Sequence, residues 1–290
     1  PDRGGRTHAR PERPARPARL MRVALTGASG IVGRYAARAL GRAGHDVTPL
    51  DRAHGWALGD PAPLQGHDAL IHCAFAHAPG RYRGGEGDDP AAFIAANLDG
   101  TRALFDQAVR HGVGRVLFLS SRAVHDGHPP GMRLPDDLPA APTTLYGQVK
   151  AGAEAYLASL PLAGCAIRST GVYGPGPAHK WRTLFADYLS GRPIAPRIAT
   201  EVHAADLARA LVLFLSTGVL PSTVNCSDLV LDHHDLLAIV RDATGSRQPL
   251  PPRADVSHLR VPDCTALIGA GWQPGGDRLL RHTIRRLLRD

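Results

Sequence analysis

Lysine is almost missing from this chain. Of its 34 basic residues only Lys150 and Lys180 are lysine, and the rest are arginine. Together with many Ala, Gly and Pro residues, this reads as the codon usage of a GC-rich genome and carries no functional message. It does single out each lysine. The four cysteines, Cys73, Cys165, Cys226 and Cys264, lie far apart and form no CxxC pair, which argues against a zinc framework or a disulfide scaffold. Three of them stand in apolar, strand-like runs, where a free thiol acts as a small hydrophobe. No apolar run approaches the roughly 20 residues needed to cross a bilayer; Ala210 to Leu215, among the longest, is far too short. No apolar stretch follows the basic start, so no secretory signal is expected and the cytoplasm is the expected compartment. Fifteen histidines suggest metal, yet no HExxH or carboxylate/His cluster exists, and no metal site is expected. His233 and His234 are adjacent in a helix's first turn and face different ways. Asp136 and Asp137 are adjacent loop acids, which rarely converge on one bond.

The net charge of +8 resolves into end effects. Residues 1–20 hold six Arg against Asp2 and Glu12, and Asp277 to Asp290 hold five Arg against two Asp. The middle is nearly neutral, with no electrostatic footprint for nucleic acid and no basic amphipathic face for a membrane. Residues 1–20 are expected to be a disordered Arg/Pro-rich extension, with Met21 as the expected start of the patterned chain. The apolar fraction of 43% over 290 residues suffices for one large domain or two small ones.

From Arg22 onward two periods alternate. Strand patterns occur at Arg22 to Thr26, Asp46 to Leu50, Ala69 to Cys73, Val116 to Leu119 and Cys165 to Ile167. Helical spacing occurs at Ile31 to Arg42, Phe93 to Arg110 and Tyr146 to Leu160. Such alternation marks an α/β fold with a doubly wound parallel sheet. Two long loops, His77 to Pro90 and His125 to Pro142, interrupt it, and loops of that length are usually functional or mobile. Beyond Gly171 the pattern loosens: helices are expected around Trp181 to Ser190 and Ala205 to Leu215, with a strand at Thr223 to Cys226. Asp232 and Asp235 resemble a capping box on a helix ending near Arg241. An amphipathic helix from Asp277 to Arg289 closes the chain.

Thr26-Gly27-Ala28-Ser29-Gly30-Ile31-Val32-Gly33 lies between the first strand and the first helix. A dinucleotide pyrophosphate needs that context: a tight turn delivering helix-terminal amides to the anion. Gly27 permits the turn, Gly30 close backbone approach, and Gly33 helix–strand packing. Asp51, at the end of the second strand, can bind the adenosine ribose diol and favours NAD; the neighbouring Arg52 leaves NADP open. Asp60 can reach the adenine or simply cap a loop. Tyr146 and Lys150 are four apart on one helix face. A free phenol is a poor base at neutral pH, but a neighbouring ammonium favours tyrosinate, which can take a hydroxyl proton. Ser120 and Ser121 end the Val116 to Leu119 strand, at the edge where open α/β sheets bind ligands. A hydrolase with Ser121 as nucleophile and His125 as base lacks the GxSxG elbow.

Together these segments resemble the extended short-chain dehydrogenase/reductase family, its NAD-dependent epimerase/dehydratase group. The family's TGxxGxxG matches Thr26 to Gly33, its YxxxK matches Tyr146 to Lys150, and the serine of its SSxxVYG segment falls on Ser121. Further matches are Asn97 to Thr101, Arg168 to Pro175, Val202 to Asp206 and Gly271 to Pro274. The resemblance implies a Rossmann domain over 21–171, rejoined by 203–226, with a small C-terminal substrate-binding domain from 172–202 and 227–290. It implies a cofactor site of Gly27, Ser29, Gly30, Ile31, Gly33, Asp51, Asp60 and Lys150, and a catalytic set of Ser121, Tyr146 and Lys150. A homodimer is the implied assembly. The implied reaction is hydride transfer at a carbinol or keto carbon of a sugar or nucleotide sugar. Two departures bear on the substrate. His125 stands where the family usually has Tyr. The Gly-Asp-Gly turn and following Arg that grip a diphosphate are replaced by Pro193 to Val202, leaving Arg197 as the substitute. Candidate substrate contacts are therefore Ser120, His125 and Arg197. The alternatives are a simple dehydrogenase/reductase of a small hydroxy compound such as a sugar acid, and a non-catalytic NAD(P)-sensing regulator. A dehydratase ranks last, because Arg122-Ala123 offers no acid pair.

Overall fold

The computed structural model describes residues 20–76, 87–176 and 179–289. Most of the expected extension and of the His77 to Pro90 loop therefore lies outside the described residues. The chain opens with β1 (Arg22–Thr26), α1 (Gly33–Arg42), β2 (Asp46–Leu50) and β3 (Ala69–His72). A helical run follows: α2 (Pro90–Ile94), a π-helical turn at Ala95–Asp99, and α3 (Gly100–Arg110). Next come β4 (Arg115–Ser121), a 3₁₀ turn at Arg122–His125, β5 (Arg133–Leu134), α4 (Leu145–Ala158) and β6 (Ala163–Ser169). The remainder is β7 (Gly171–Tyr173), α5 (Arg182–Leu189), β8 (Ile198–His203), α6 (Ala204–Ser216) and β9 (Thr223–Cys226). It closes with β10 (Leu229–Asp232), α7 (His233–Thr244), β11 (Val261–Pro262), α8 (Thr265–Gly269) and α9 (Gly276–Leu287).

Six strands form one sheet in the order β2-β1-β3-β4-β6-β9, and every pair in it is parallel. Strand alternation divides its side chains between two cores. Val23, Leu25, Ile71 and Leu117 meet α1 and α6 on one face, while Ala24, Leu70, Val116 and Phe118 meet α3 and α4 on the other. This is the doubly wound Rossmann-type architecture. The order reverses between β1 and β3, and the crevice at their carboxyl ends is where such sheets bind ligands.

A second, three-stranded sheet runs β10-β8-β7, with β10 antiparallel and β7 parallel to β8. It carries a third core in which Tyr173, Trp181 and Phe185 pack with Leu236, Leu280 and Ile284. Leu267 and Trp272, late in the sequence, belong instead to a core of the six-stranded sheet. Asp232 caps α7, accepting from the His234 amide. The second half of the expected capping box does not form. Asp235 gives its carboxylate to Arg253, at 2.7 and 2.8 Å, because aspartate is shorter than the Glu or Gln that reaches back to the cap. Among the described residues no helix is long and apolar enough to cross a membrane.

Candidate active site

The glycine loop follows β1 directly. Gly27 has φ +66°, and a Cβ there would lie 2.8 Å from the Ala74 amide nitrogen just beyond β3. A Cβ on Gly33 would fall 2.0 Å from the Gly27 carbonyl oxygen. The loop therefore exists only with glycine at these positions. α1 begins with no acidic residue in its first turn and no side-chain cap, which leaves its dipole open to an anion. Ile31 packs its side chain toward the sheet core. Asp51, buried just past β2, accepts from the Ser29 amide at 2.8 Å and from His54 Nδ1 at 2.7 Å. Burial alone would raise its carboxyl, but the hydrogen bonds from His54 and Ser29 outweigh that and hold it below the usual carboxylate range. A pyrophosphate and a ribose diol fit this cradle of glycine backbone with a fixed carboxylate beside it. Asp60 stands apart: it is exposed, and its carboxylate closes a turn on the Ala57 amide at 2.8 Å.

Three residues converge at the carboxyl edge of β4. Ser121 ends the strand and caps the 3₁₀ turn, its Oγ accepting from the Ala123 amide at 3.2 Å and keeping its own proton to donate. α4 starts at a Thr144 cap, and its first turn wedges against that 3₁₀ turn. A Cβ on Gly147 would lie 2.7 Å from the Ala123 carbonyl, so glycine next to Tyr146 permits the approach. Lys150 is buried and donates from Nζ to the Leu119 carbonyl at 2.8 Å. Its ammonium lies 4.3 Å from the Phe75 ring centre, 4.7 Å from that of Phe118 and 6.0 Å from that of Tyr146. Phe75 also meets Tyr146 edge-on at 5.2 Å. Burial pushes Lys150 down to about 7, opposed by the Cys73 thiol and the Glu154 carboxylate.

Ser120 and His125 are drawn away from the opening. Alternation along β4 turns Ser120 opposite to Ser121, and its hydroxyl donates to Glu154. His125 is fully buried, and its Nε2 accepts from Arg168 at 3.1 Å. Burial and the Arg168 guanidinium push it down to about 4. Arg197 is exposed in a groove of about 550 Å³ that also holds Arg253, Asp255, His258 and Leu259. Next in sequence to Leu259 of the groove, Arg260 Nε donates to the His128 carbonyl at 2.7 Å, and the His125 and His128 rings are 5.5 Å apart. The second lysine, Lys180, pairs with the buried Glu201 of β8.

Two residues prove to be supports whose roles the sequence did not assign: Asn97, marked only as part of the Asn97 to Thr101 match, and His72. Asn97, inside the π-helical turn, accepts from the Ala76 amide at 2.7 Å and donates to the Ala76 carbonyl at 2.8 Å, which pins the segment carrying Phe75. His72 joins Thr26 at 2.7 Å to Thr101 at 3.0 Å, tying the glycine loop's first residue to α3. The π-turn offset that aims Asn97 has no signature in residue spacing. The Arg168–Glu154 pair was likewise invisible. Among the described residues no group of three metal-ligating side chains occurs.

Comparisons with known proteins agree with this geometry. The model of the NAD dependent epimerase/dehydratase family matches residues 23–227. A UDP-glucose 4-epimerase of Corynebacterium glutamicum is 25% identical over an alignment covering 86% of this chain and 90% of that protein. A dTDP-4-dehydrorhamnose reductase of Streptomyces griseus is 36% identical over 52% of this chain and 50% of its own length. The crystal structure of Thermus thermophilus UDP-glucose 4-epimerase in complex with NAD superposes with a TM-score of 0.73 at 24% identity. That superposition covers 93% of this chain and 99% of the other.

Proposed function

Because the chain belongs to the NAD-dependent epimerase/dehydratase family, we propose that it is an NAD-dependent oxidoreductase of the epimerase type acting on a nucleotide sugar. The observation that carries this reading is the wedge of α4 against the 3₁₀ turn, which brings Tyr146, Lys150 and Ser121 to one sheet edge beside the glycine loop. NAD, held by Gly27, Ser29, Gly30, Ile31, Gly33 and Asp51, would supply the hydride acceptor. Ser121 donates its free hydroxyl proton to the reacting oxygen and fixes its direction. Tyr146, as phenolate, takes the proton of the substrate hydroxyl as the carbinol carbon gives up its hydride. Lys150 in its charged form favours that phenolate. The aromatic walls of Phe75 and Phe118 exclude water from the pair.

A nucleotide sugar is favoured over a free sugar acid by the groove of Arg197, Arg253 and His258. Two guanidinium groups suit a diphosphate. Within residues 172–202 and 227–290 we assign the second sheet and its groove to substrate binding on the same ground, while Leu267 and Trp272 pack on the six-stranded sheet. The names of the similar proteins, a UDP-glucose epimerase and a dTDP-sugar reductase, point the same way.

The test incubates the full chain with NAD or NADP and with UDP-glucose, dTDP-glucose or free glucuronate, following reduced nicotinamide and sugar products. The expected result is a changed nucleotide sugar without accumulating reduced cofactor. Tyr146→Phe should then lower turnover by about 10²–10⁴ while NAD affinity stays within a few-fold. Undiminished turnover in Tyr146→Phe overturns the acid–base assignment. Reduced cofactor accumulating with glucuronate alone would favour the small-substrate dehydrogenase.

A further inference from the structure

Glu154 and Arg168 form an ion pair beneath the site that the chemistry above does not use. Their side chains are 6% and 5% exposed. Arg168 Nη2 donates to Glu154 Oε2 at 2.8 Å, and its Nε lies 3.1 and 3.2 Å from the two carboxylate oxygens. Ser120 donates to the same carboxylate. The remaining nitrogen, Nη1, donates at 3.1 Å to His125 Nε2 and to the Asp136 and Leu138 carbonyls. A buried pair of this kind is weak evidence for stability, since apolar residues of equal volume often serve as well. What distinguishes this one is where its arms end. Ser120 immediately precedes Ser121 in β4, His125 ends the 3₁₀ turn that Ser121 caps, and Glu154 stands one helical turn beyond Lys150 on α4.

We propose that Glu154 is a positioning residue: through Ser120, Arg168 and His125 it holds the β4 terminus and the 3₁₀ turn in place for Ser121, and from one helical turn away its carboxylate balances the buried Lys150 ammonium. Among the described residues the titratable groups near Lys150 are His72 and Cys73 at the end of β3 and Tyr146 and Glu154 on α4. Glu154 is the one carboxylate of this set, and burial pushes the Cys73 thiol up to about 12. The positioning half of the inference rests on the catalytic reading given above; the electrostatic half does not.

The scarcity of lysine supplies the test. Lysine labelled with ¹³C at Cε gives two signals in this chain, Lys150 and Lys180, and the Cε shift reports ionisation. In the full chain with NAD added, Glu154→Gln should lower the Lys150 midpoint by about one pH unit and leave Lys180 unmoved. Turnover of the nucleotide sugar should fall about tenfold through kcat with KM within twofold, as expected for a misplaced Ser121. An unmoved Lys150 midpoint overturns the electrostatic role, and unchanged kcat overturns the positioning role. Should Glu154→Gln fail to fold, the double variant Glu154→Gln/Arg168→Met leaves no buried guanidinium without its carboxylate and should shift Lys150 in the same direction. Full activity in Tyr146→Phe sinks the catalytic reading alone, since the Lys150 titration still reports on Glu154.

Discussion

The two sheets use the same kind of contact for opposite ends. At the six-stranded sheet, Arg168 and Glu154 meet in a bidentate pair with side chains 5% and 6% exposed. Beside the three-stranded sheet, Arg253 and Asp235 meet in an equally bidentate pair with side chains 62% and 50% exposed. The buried pair lies among β4, β6 and α4, at the strand end that carries Ser121. The exposed pair borders the groove of Arg197 and His258 and can be replaced at little cost to the fold. On the reading proposed above, the catalytic edge is built from backbone and buried charge, and the substrate groove from exposed side chains.

That contrast is broken most severely at the glycine loop. Gly33→Ala puts a methyl group 2.0 Å from the Gly27 carbonyl oxygen, whereas at Gly30 the same methyl group would stand 3.1 Å from it. The first cannot be accommodated without displacing backbone; the second needs a few tenths of an ångström. Calorimetry should show NAD affinity about 100-fold weaker for Gly33→Ala, equal to about 2.7 kcal/mol, and a much smaller loss for Gly30→Ala. Equal losses would mean that the loop is not rigid and that backbone placement does not define the cofactor side.

Acid sharpens the comparison, because buried histidines occur on both sides of it. His72 is pushed down to about 3 by burial and by Lys150. His125 and His203 are pushed down to about 4, chiefly by burial. Each is neutral in the folded chain near neutral pH, while the unfolded chain protonates near pH 6.5. Their contribution to stability is therefore complete above pH 6.5 and is lost as pH falls toward the folded values, at about 1.4 kcal/mol per unit for each histidine. By pH 5 each costs about 2 kcal/mol. Urea unfolding at pH 7 and pH 5 should show this drop, and His72→Gln should reduce it by about 2 kcal/mol. A drop that His72→Gln leaves unchanged would place the acid sensitivity elsewhere.

How much of this was legible follows from the range of the interactions. β1, the glycine loop and Tyr146–Lys150 are local: strand period, glycine spacing and an i,i+4 pair each lie within a few residues. β8 and β10 escaped because Thr200 and Glu201 interrupt the apolar pattern and their pairing joins segments some thirty residues apart. Asp51 was placed at the right strand end, but its bond to the Ser29 amide depends on loop curvature. Ser120 and Ser121 are indistinguishable as neighbours in a sequence; only strand alternation against α4 gives one to Glu154 and leaves the other at the opening. Glu154 and Arg168 belong to different elements, α4 and β6, and nothing in their spacing announces the pair.

The mildest change tests the exposed side of the contrast. Arg253→Ala removes a guanidinium that donates twice to Asp235 on α7, with both groups well hydrated. Exposed pairs contribute about 0–1 kcal/mol, so the unfolding midpoint should hardly move. The same substitution takes one of two arginines from the groove. If the groove receives a diphosphate, KM for the nucleotide sugar should rise about tenfold, a loss of about 1.4 kcal/mol, with kcat unchanged because Tyr146, Lys150 and Ser121 are untouched. KM should also become less sensitive to salt, since one fewer charge faces the anion. A variant that loses stability instead of affinity would show that Arg253 braces α7, and that the exposed sheet is held together as the buried one is.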